Sequence, residues 1–331
     1  MRLSLCMIVR DEAFFIEECL EQARPHVDEI VIVDTGSVDG TREIAERYAD
    51  VLLDFEWIED FSAARNTGLD AATGDWILVL DADERIAAED YATLRDAMHT
   101  SEFDGFYLEQ RDYNEVVLRS GRVAVDPDAE HSRGYSGYTT NRIMRLFRAD
   151  SGIRYQSSIH EIVDGTLEPD RRGELPVAIH HYSSANPNRP RSERLQKYMR
   201  LMEQEVAKAD DGRLLAIAGS TALYQLQDYS KAESYLRRAA ELGYNSAVSL
   251  EGAAEAAYRA GETARAMDLF RSLYEQGHKT PSLCLNLANL SVRSGNKLGA
   301  VALLEECLQL GGMGTETDAV IRKNIEALSA S

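Results

Sequence analysis

The chain has 331 residues, of which 44% are hydrophobic and 28% charged, which excludes a disordered chain and allows two domains. Lys and Arg number 36 against 56 Asp and Glu, a formal charge of −20 that argues against broad binding to a nucleic acid backbone or an anionic membrane. No run of 18 apolar residues occurs, so no transmembrane segment is expected. The N-terminus is briefly apolar but meets Asp11-Glu12 at once, so it reads as a strand and not as a leader. Four cysteines (Cys6, Cys19, Cys284, Cys307) lack metal-ligand spacing and read as reduced core residues of a cytoplasmic protein.

The first 85 residues alternate strand and helix. Leu3 to Val9 is a short apolar strand, and Phe14 to Ala23 has helical spacing. Glu29 to Val33 is a second strand, Thr41 to Tyr48 a helix, Val51 to Phe55 a third strand, Phe61 to Ala72 a helix, and Trp76 to Leu80 a fourth strand. This order implies an α/β domain with a mostly parallel sheet covered on both faces. Ligands of such sheets bind outside the C-terminal ends of the strands, where Asp34 and Asp81 can share a crevice.

Further on the pattern weakens. Gly105 to Leu108, Ile143 to Phe147, Ile153 to Val163 and Val177 to His181 read as strands. Arg119 to Thr140 is polar and too long for an ordinary connection, so it reads as a mobile loop or lid. Ser183 to Pro190 reads as a linker, followed by a helix from about Ser192 to Lys208. The expected domains are 1–185, a connection over 186–212, and 213–331.

The last third repeats itself. Ala232, Ala266 and Ala300 lie 34 residues apart, as do Gly243, Gly277 and Gly311; Tyr224, Tyr258 and Val292; and Leu236, Phe270 and Leu304. Small residues let two helices approach, and the glycines end the second helix of each pair. A 34-residue helix-turn-helix period is that of tetratricopeptide repeats, so three stacked helix pairs are expected.

The junction after the fourth strand carries the chemistry. Asp81-Ala82-Asp83-Glu84 follows Trp76-Ile77-Leu78-Val79-Leu80. In an extended backbone residues i and i+2 point to the same side, so both acids can face one spot. Two hard oxygen donors suit Mg²⁺ or Mn²⁺, which complete their shell with substrate phosphates. The plainer alternative is an acidic turn. Upstream, Val33 to Thr41 joins the second strand to its helix through Gly36 and Gly40. No dinucleotide fingerprint is present, and the acidic loop suits the N–H groups of a base or the hydroxyls of a ribose.

Four segments together resemble family 2 glycosyltransferases of the GT-A fold: Leu5 to Glu12; DTGSVDGT (Asp34 to Thr41); Asp60-Phe61-Ser62-Ala63-Ala64-Arg65-Asn66; and Gly74 to Glu84. The subgroup most resembled carries C-terminal tetratricopeptide repeats and includes bacterial lipopolysaccharide-core and S-linked peptide glycosyltransferases. The resemblance implies that Val9 and nearby backbone line the base and that Asp34 contacts uracil or ribose. Arg65 then approaches the nucleotide, Asn66 shapes that wall, Asp81 and Asp83 form the metal-binding DxD pair, and Asp81 and Ala82 also border the nucleotide-sugar. Thr35 stands where many relatives have an acid. Arg65 could instead form an ordinary surface ion pair.

Two later clusters complete the set. Glu161, in Ser158-Ile159-His160-Glu161, matches the subgroup's His-Glu pair and is the candidate base; the alternative is a pair with an Arg such as Arg154. His181-Tyr182 resembles a His-Tyr-Gly element with Ser183 in place of Gly, so His181 ligates the metal, touches the diphosphate, or is structural. The resulting expectation is a metal-dependent, inverting transferase. It moves sugar from a nucleotide-sugar donor, UDP-linked, to a peptide, lipid-linked or saccharide acceptor, with the repeats binding the peptide or forming a homodimer. A repeat scaffold with an inactive N-terminal domain is the competing expectation. A nucleotidyltransferase would want a basic Gly-rich loop after the first strand, which Arg10-Asp11-Glu12 does not supply.

Overall fold

Four apolar runs become four parallel strands: β1 (Leu3–Val9), β2 (Glu29–Asp34), β3 (Val51–Asp54) and β4 (Trp76–Val79). β1, β2 and β4 are buried almost throughout, which is why their sequences are continuous apolar runs and do not alternate. The computed structural model describes residues 1–114, 122–182, 191–311 and 313–330. It divides into two units, Met1–Arg189 and Pro190–Ser331.

In the first unit the crossovers are α1 (Ile16–Ala23), α2 (Thr41–Tyr48) and α3 (Phe61–Ala71). Asp60 caps α3 by accepting from Ala63 N at 2.9 Å. Then come β5 (Glu84–Ile86), α4 (Asp90–Thr100), β6 (Gly105–Tyr113), β7 (Arg122–Ala124), β8 (Gly137–Arg148) and β9 (Arg172–His181). The mixed sheet runs β3-β2-β1-β4-β8-β6-β9-β5, with β7 paired to β8. α1, α2 and α4 contribute to the core on one face through Leu20, Ala45 and Leu94; Leu69 of α3 packs on the other with Ile153, Tyr155 and Val163. Burial drives both layers.

Two expectations change here. Residues 153–163 form no strand; a lone bridge between Gln156 and Ile162 is their only sheet-like pairing among the described residues. Part of the polar stretch Arg119 to Thr140 is strand, since β7 and the start of β8 lie within it; 119–121 fall outside the described residues, as does the linker 183–190. The turns between those strands are tied down. Tyr182 Oη donates to His131 O at 2.8 Å, Arg133 lies 4.3 Å over the Tyr182 ring, and Tyr135 and Tyr138 pack against Tyr113. The stretch reads as a loop because its composition is polar, yet these anchors are aromatic.

The second unit is helical. α5 (Arg191–Lys208) is followed by pairs α6 (Gly212–Thr221) with α7 (Tyr229–Glu241), α8 (Ser246–Arg259) with α9 (Thr263–Glu275), and α10 (Pro281–Arg293) with α11 (Lys297–Gln309); α12 (Thr315–Ser329) ends the array. Ala232, Ala266 and Ala300 are fully buried, which explains why the column stays small. Gly243, Gly277 and Gly311 have φ of +80°, +88° and +106°, the left-handed conformation that ends a helix and favours glycine. The three pairs expected from the 34-residue period are present.

Candidate functional site

β4 ends at Val79, and the backbone then turns, with Glu84 N donating to Asp81 O at 3.0 Å. Asp81 and Asp83 thus sit on a turn, so the same-side rule for an extended strand does not govern them, and they have different partners. Asp81 Oδ1 accepts from Arg65 Nη2 and Oδ2 from Arg145 Nη2, each at 2.8 Å. Burial pushes the Asp81 carboxyl up, but Arg65 and Arg145 outweigh it and hold the group far below the ordinary carboxylate range. Arg145 Nη2 also reaches Glu84 Oε1 at 3.0 Å. Glu84 has no exposed surface; its Oε2 accepts from Asp81 N at 2.8 Å and its Oε1 from Gln110 Nε2 at 2.5 Å. Arg65 Nε donates to Glu161 Oε1 at 2.5 Å. A chain of alternating charges, Glu84, Arg145, Asp81, Arg65 and Glu161, therefore runs from β5 to the segment after β8.

Asp83 has a different neighbour, His181. His181 pairs with Glu84 across β9 and β5 and with Asp112 across β9 and β6. Its Nε2 lies 3.6 Å from Asp83 Oδ2 and its Nδ1 3.1 Å from Asp112 Oδ1. Burial works against a proton on this imidazole, but the two aspartates win and hold it protonated well above the ordinary histidine value.

The fit to a divalent cation is uneven. Asp83 and His181 offer an oxygen and an imidazole nitrogen side by side, and an ion bound there would take the place of the imidazole proton. Asp81 has both oxygens committed to guanidinium groups. Among the described residues no set of three or more His, Cys, Asp or Glu is grouped to hold a metal by itself. A hard ion with two protein donors keeps open positions for ligand oxygens, which suits a diphosphate.

The other expected residues are placed as follows. Val9 lies opposite Asp34 in the β1–β2 register, and its carbonyl accepts from Thr35 N at 2.9 Å and Thr35 Oγ1 at 3.1 Å. Asp34 Oδ1 accepts from Gly36 N, Ser37 N and Ser37 Oγ at 3.1, 2.9 and 2.7 Å, and Oδ2 lies 3.9 Å from Arg42. Gly40 stands at the N-cap of α2, and Asp39 accepts from Thr41 N at 3.1 Å. The carbonyl of Ala82 accepts from Arg85 Nη1 at 2.7 Å. Arg65 is no surface residue: it is buried, with its guanidinium 5.3 Å over the Tyr155 ring and Nη1 lacking a hydrogen-bond partner among the described residues. Asn66 spends its amide on backbone: Nδ2 donates to Tyr155 O at 3.0 Å and Oδ1 accepts from Tyr155 N at 2.9 Å. Arg154 pairs with Asp70, leaving Glu161 to Arg65.

Residues 4–152 match the family described as Glycosyl transferase family 2. The N-terminal domain belongs to this family. A TPR repeat-containing protein of Synechococcus elongatus is 35% identical over 251 residues, covering 73% of this chain and 57% of its own length. The glycosyltransferase SunS of Bacillus subtilis is 28% identical over 157 residues, covering 47% of this chain and 33% of its own. The lipopolysaccharide core biosynthesis glycosyltransferase LpsC of Rhizobium meliloti is 28% identical over 186 residues, covering 52% and 62%. The chain thus spans about half or less of the first two relatives' length. The family 2 domain has the GT-A architecture expected of it, a mixed sheet with helices on both faces, and helix pairs with tetratricopeptide period follow.

Two arginines of the family 2 domain's site escaped the sequence reading. Arg145 sits within the apolar stretch Met144-Arg145-Leu146-Phe147 of β8 and is buried with it. A lone charge inside such a run is the signal that marks it. Arg85, also buried, reaches the carbonyls of Ala82, Glu84 and Phe15 and so supports the Asp81–Glu84 turn. Burial pushes the thiols of Cys6 and Cys19 up to about 12, so neither is a nucleophile, and Cys19 Sγ donates to the Asp81 carbonyl at 3.7 Å.

Proposed function

We propose that the family 2 domain transfers a sugar from a nucleotide-sugar donor, UDP-linked, to a peptide, lipid-linked or saccharide acceptor, with inversion at the anomeric carbon. One observation carries this reading: at the carboxyl end of β4, Asp83 and His181 stand 3.6 Å apart, beside an Asp81 held by two buried arginines and linked through Arg65 to Glu161. Asp83 and His181 would hold Mn²⁺ or Mg²⁺, which when bound offsets the negative charge growing on the departing diphosphate. Asp81 would anchor Arg65 and Arg145, fixing two permanent cations beside the donor. Val9 and Asp34 would border the base and ribose, as the ends of β1 and β2 meet there.

Glu161 would act as the base. The acceptor hydroxyl or thiol gives its proton to the Glu161 carboxylate, its oxygen or sulfur bonds to the anomeric carbon, and the bond from that carbon to the diphosphate oxygen breaks, releasing UDP. The side chain is 12% exposed, so an acceptor has a path to it. The helix pairs would hold a peptide acceptor or pair two copies of the chain. Action in the cytoplasm fits the four free cysteines. No helix among the described residues is long and apolar enough to cross a membrane.

The test is UDP release from a panel of UDP-sugars with Mn²⁺ present. We expect turnover of at least one donor and its loss on chelation. A protein that neither binds nor consumes any member of the panel would instead be the inactive repeat scaffold.

A further inference from the structure

Helix α3 and the segment after β8 are joined by a row of hydrogen bonds that the reaction scheme does not use. Phe61 N donates to Ser158 O at 2.9 Å, and Ser62 Oγ to Ser157 O at 2.5 Å. One turn on, the Asn66 side chain pairs with both the N–H and the carbonyl of Tyr155, as a neighbouring strand would. Arg65, between them in sequence, grips Glu161. All four residues lie on the amino-terminal half of one helix, and each has a partner within residues 155–161.

That segment needs holding. Its regular pairing is limited to the bridge between Gln156 and Ile162. Ser157 and His160 have φ of +77° and +50°, in the left-handed region that side chains bearing a Cβ rarely adopt. Such conformations persist where the surroundings over-determine them. Here the surroundings are α3 and the buried side chains of Tyr155 and Ile159. Without the clamp, the segment would relax and Glu161 would leave its place beside Arg65.

We propose that Ser62 and Asn66 are positioning residues for Glu161: they clamp residues 155–161 onto α3 and thereby fix the carboxylate that takes the acceptor proton. This gives Asn66 a different task from lining a nucleotide wall, since its amide oxygen and one of its amide hydrogens are spent on Tyr155. The inference rests on the reading of Glu161 as the base, and the experiment separates the two.

The full-length chain is compared with Asn66→Ala, Asn66→Asp and Asn66→Ala combined with Ser157→Gly. Three quantities are measured: hydrogen exchange at the Tyr155 amide, UDP affinity in Mn²⁺, and kcat and KM for UDP release from the donor that the panel identifies. In Asn66→Ala we expect Tyr155 exchange to rise at least about tenfold. UDP affinity and donor KM should stay within about twofold, while kcat falls about 30- to 100-fold, as for a displaced catalytic group. Asn66→Asp keeps an acceptor for Tyr155 N–H and loses the donor to Tyr155 O, so its kcat should fall in between. Ser157→Gly removes the strain that the clamp opposes and should restore part of the lost kcat. A tenfold loss of UDP affinity with kcat intact would overturn the proposal in favour of a nucleotide contact. Faster exchange with kcat unchanged would also overturn it, leaving a purely structural clamp. If Glu161→Gln keeps full kcat, the base assignment fails, whatever the exchange data show about the clamp.

Discussion

Replacing Asp83 with Ala is expected to lower sugar transfer by at least about 10³-fold, equivalent to about 4 kcal/mol of transition-state stabilisation. The fold should hardly notice. His181 keeps Asp112 at 3.1 Å, so its imidazolium is not stranded. The lost contact spans 3.6 Å between a buried Asp83 and a His181 that keeps its other aspartate, so it is worth about 1 kcal/mol or less. A melting shift of about 2–4 °C is the upper end of that range for a domain of this size. Steady-state turnover and thermal melts on the same preparation check both halves. Full turnover in Asp83→Ala would refute the metal assignment, and wholesale unfolding would make Asp83 a structural residue.

Arg145→Met should do the reverse and strike stability first. Arg145 stands between Asp81 and Glu84, and its removal leaves Glu84 buried next to a second carboxylate. Breaking one partner out of a buried ionic group costs about 3–5 kcal/mol. Urea unfolding at neutral pH measures this, and adding Glu84→Gln should recover much of the loss, because the pair couples. The pH dependence has a definite sign. Burial pushes the Glu84 carboxyl up, Arg145 opposes this, and Asp81 adds to it. Deleting Arg145 removes the main opposing influence, so the folded Glu84 pKa rises further above its unfolded value. Such a group stabilises fully below the unfolded carboxylate range, and this is lost as pH climbs through the folded pKa. The deficit of Arg145→Met should therefore shrink on acidification through the carboxylate range. A deficit that stays constant with pH would mean that packing of the arginine stem, and not charge, sets the cost.

Much of this was legible in sequence, for reasons that differ by element. β1, β2 and β4 are buried on both faces, so each is built on a near-continuous apolar run that does not alternate. The repeats announce themselves because buried Ala232, Ala266 and Ala300 and left-handed Gly243, Gly277 and Gly311 admit few substitutes. Residues 153–163 misled because Ile153, Tyr155, Ile159 and Val163 are buried at irregular turns of a clamped segment, giving apolar spacing without strand geometry. The partners of the site were hidden for another reason. Arg65 and Glu161 are 96 positions apart, and Arg145 and Asp81 are 64. No local pattern couples residues at that separation; the sheet order, with β8 beside β4, does. The Asp81-Ala82-Asp83 motif was visible as a motif, yet the different tasks of its two acids depend on a turn that only Glu84 and Arg85 reveal.

The central claim is that a divalent cation at Asp83 and His181 anchors the diphosphate of an activated sugar. The direct measurement is a calorimetric titration of UDP into the protein with and without Mn²⁺. The account predicts binding that strengthens at least about tenfold with Mn²⁺ in the wild type, a gain of about 1.4 kcal/mol, and no such gain in Asp83→Ala. UDP binding that is equally tight with and without the ion, or an undiminished Mn²⁺ effect in Asp83→Ala, would contradict it.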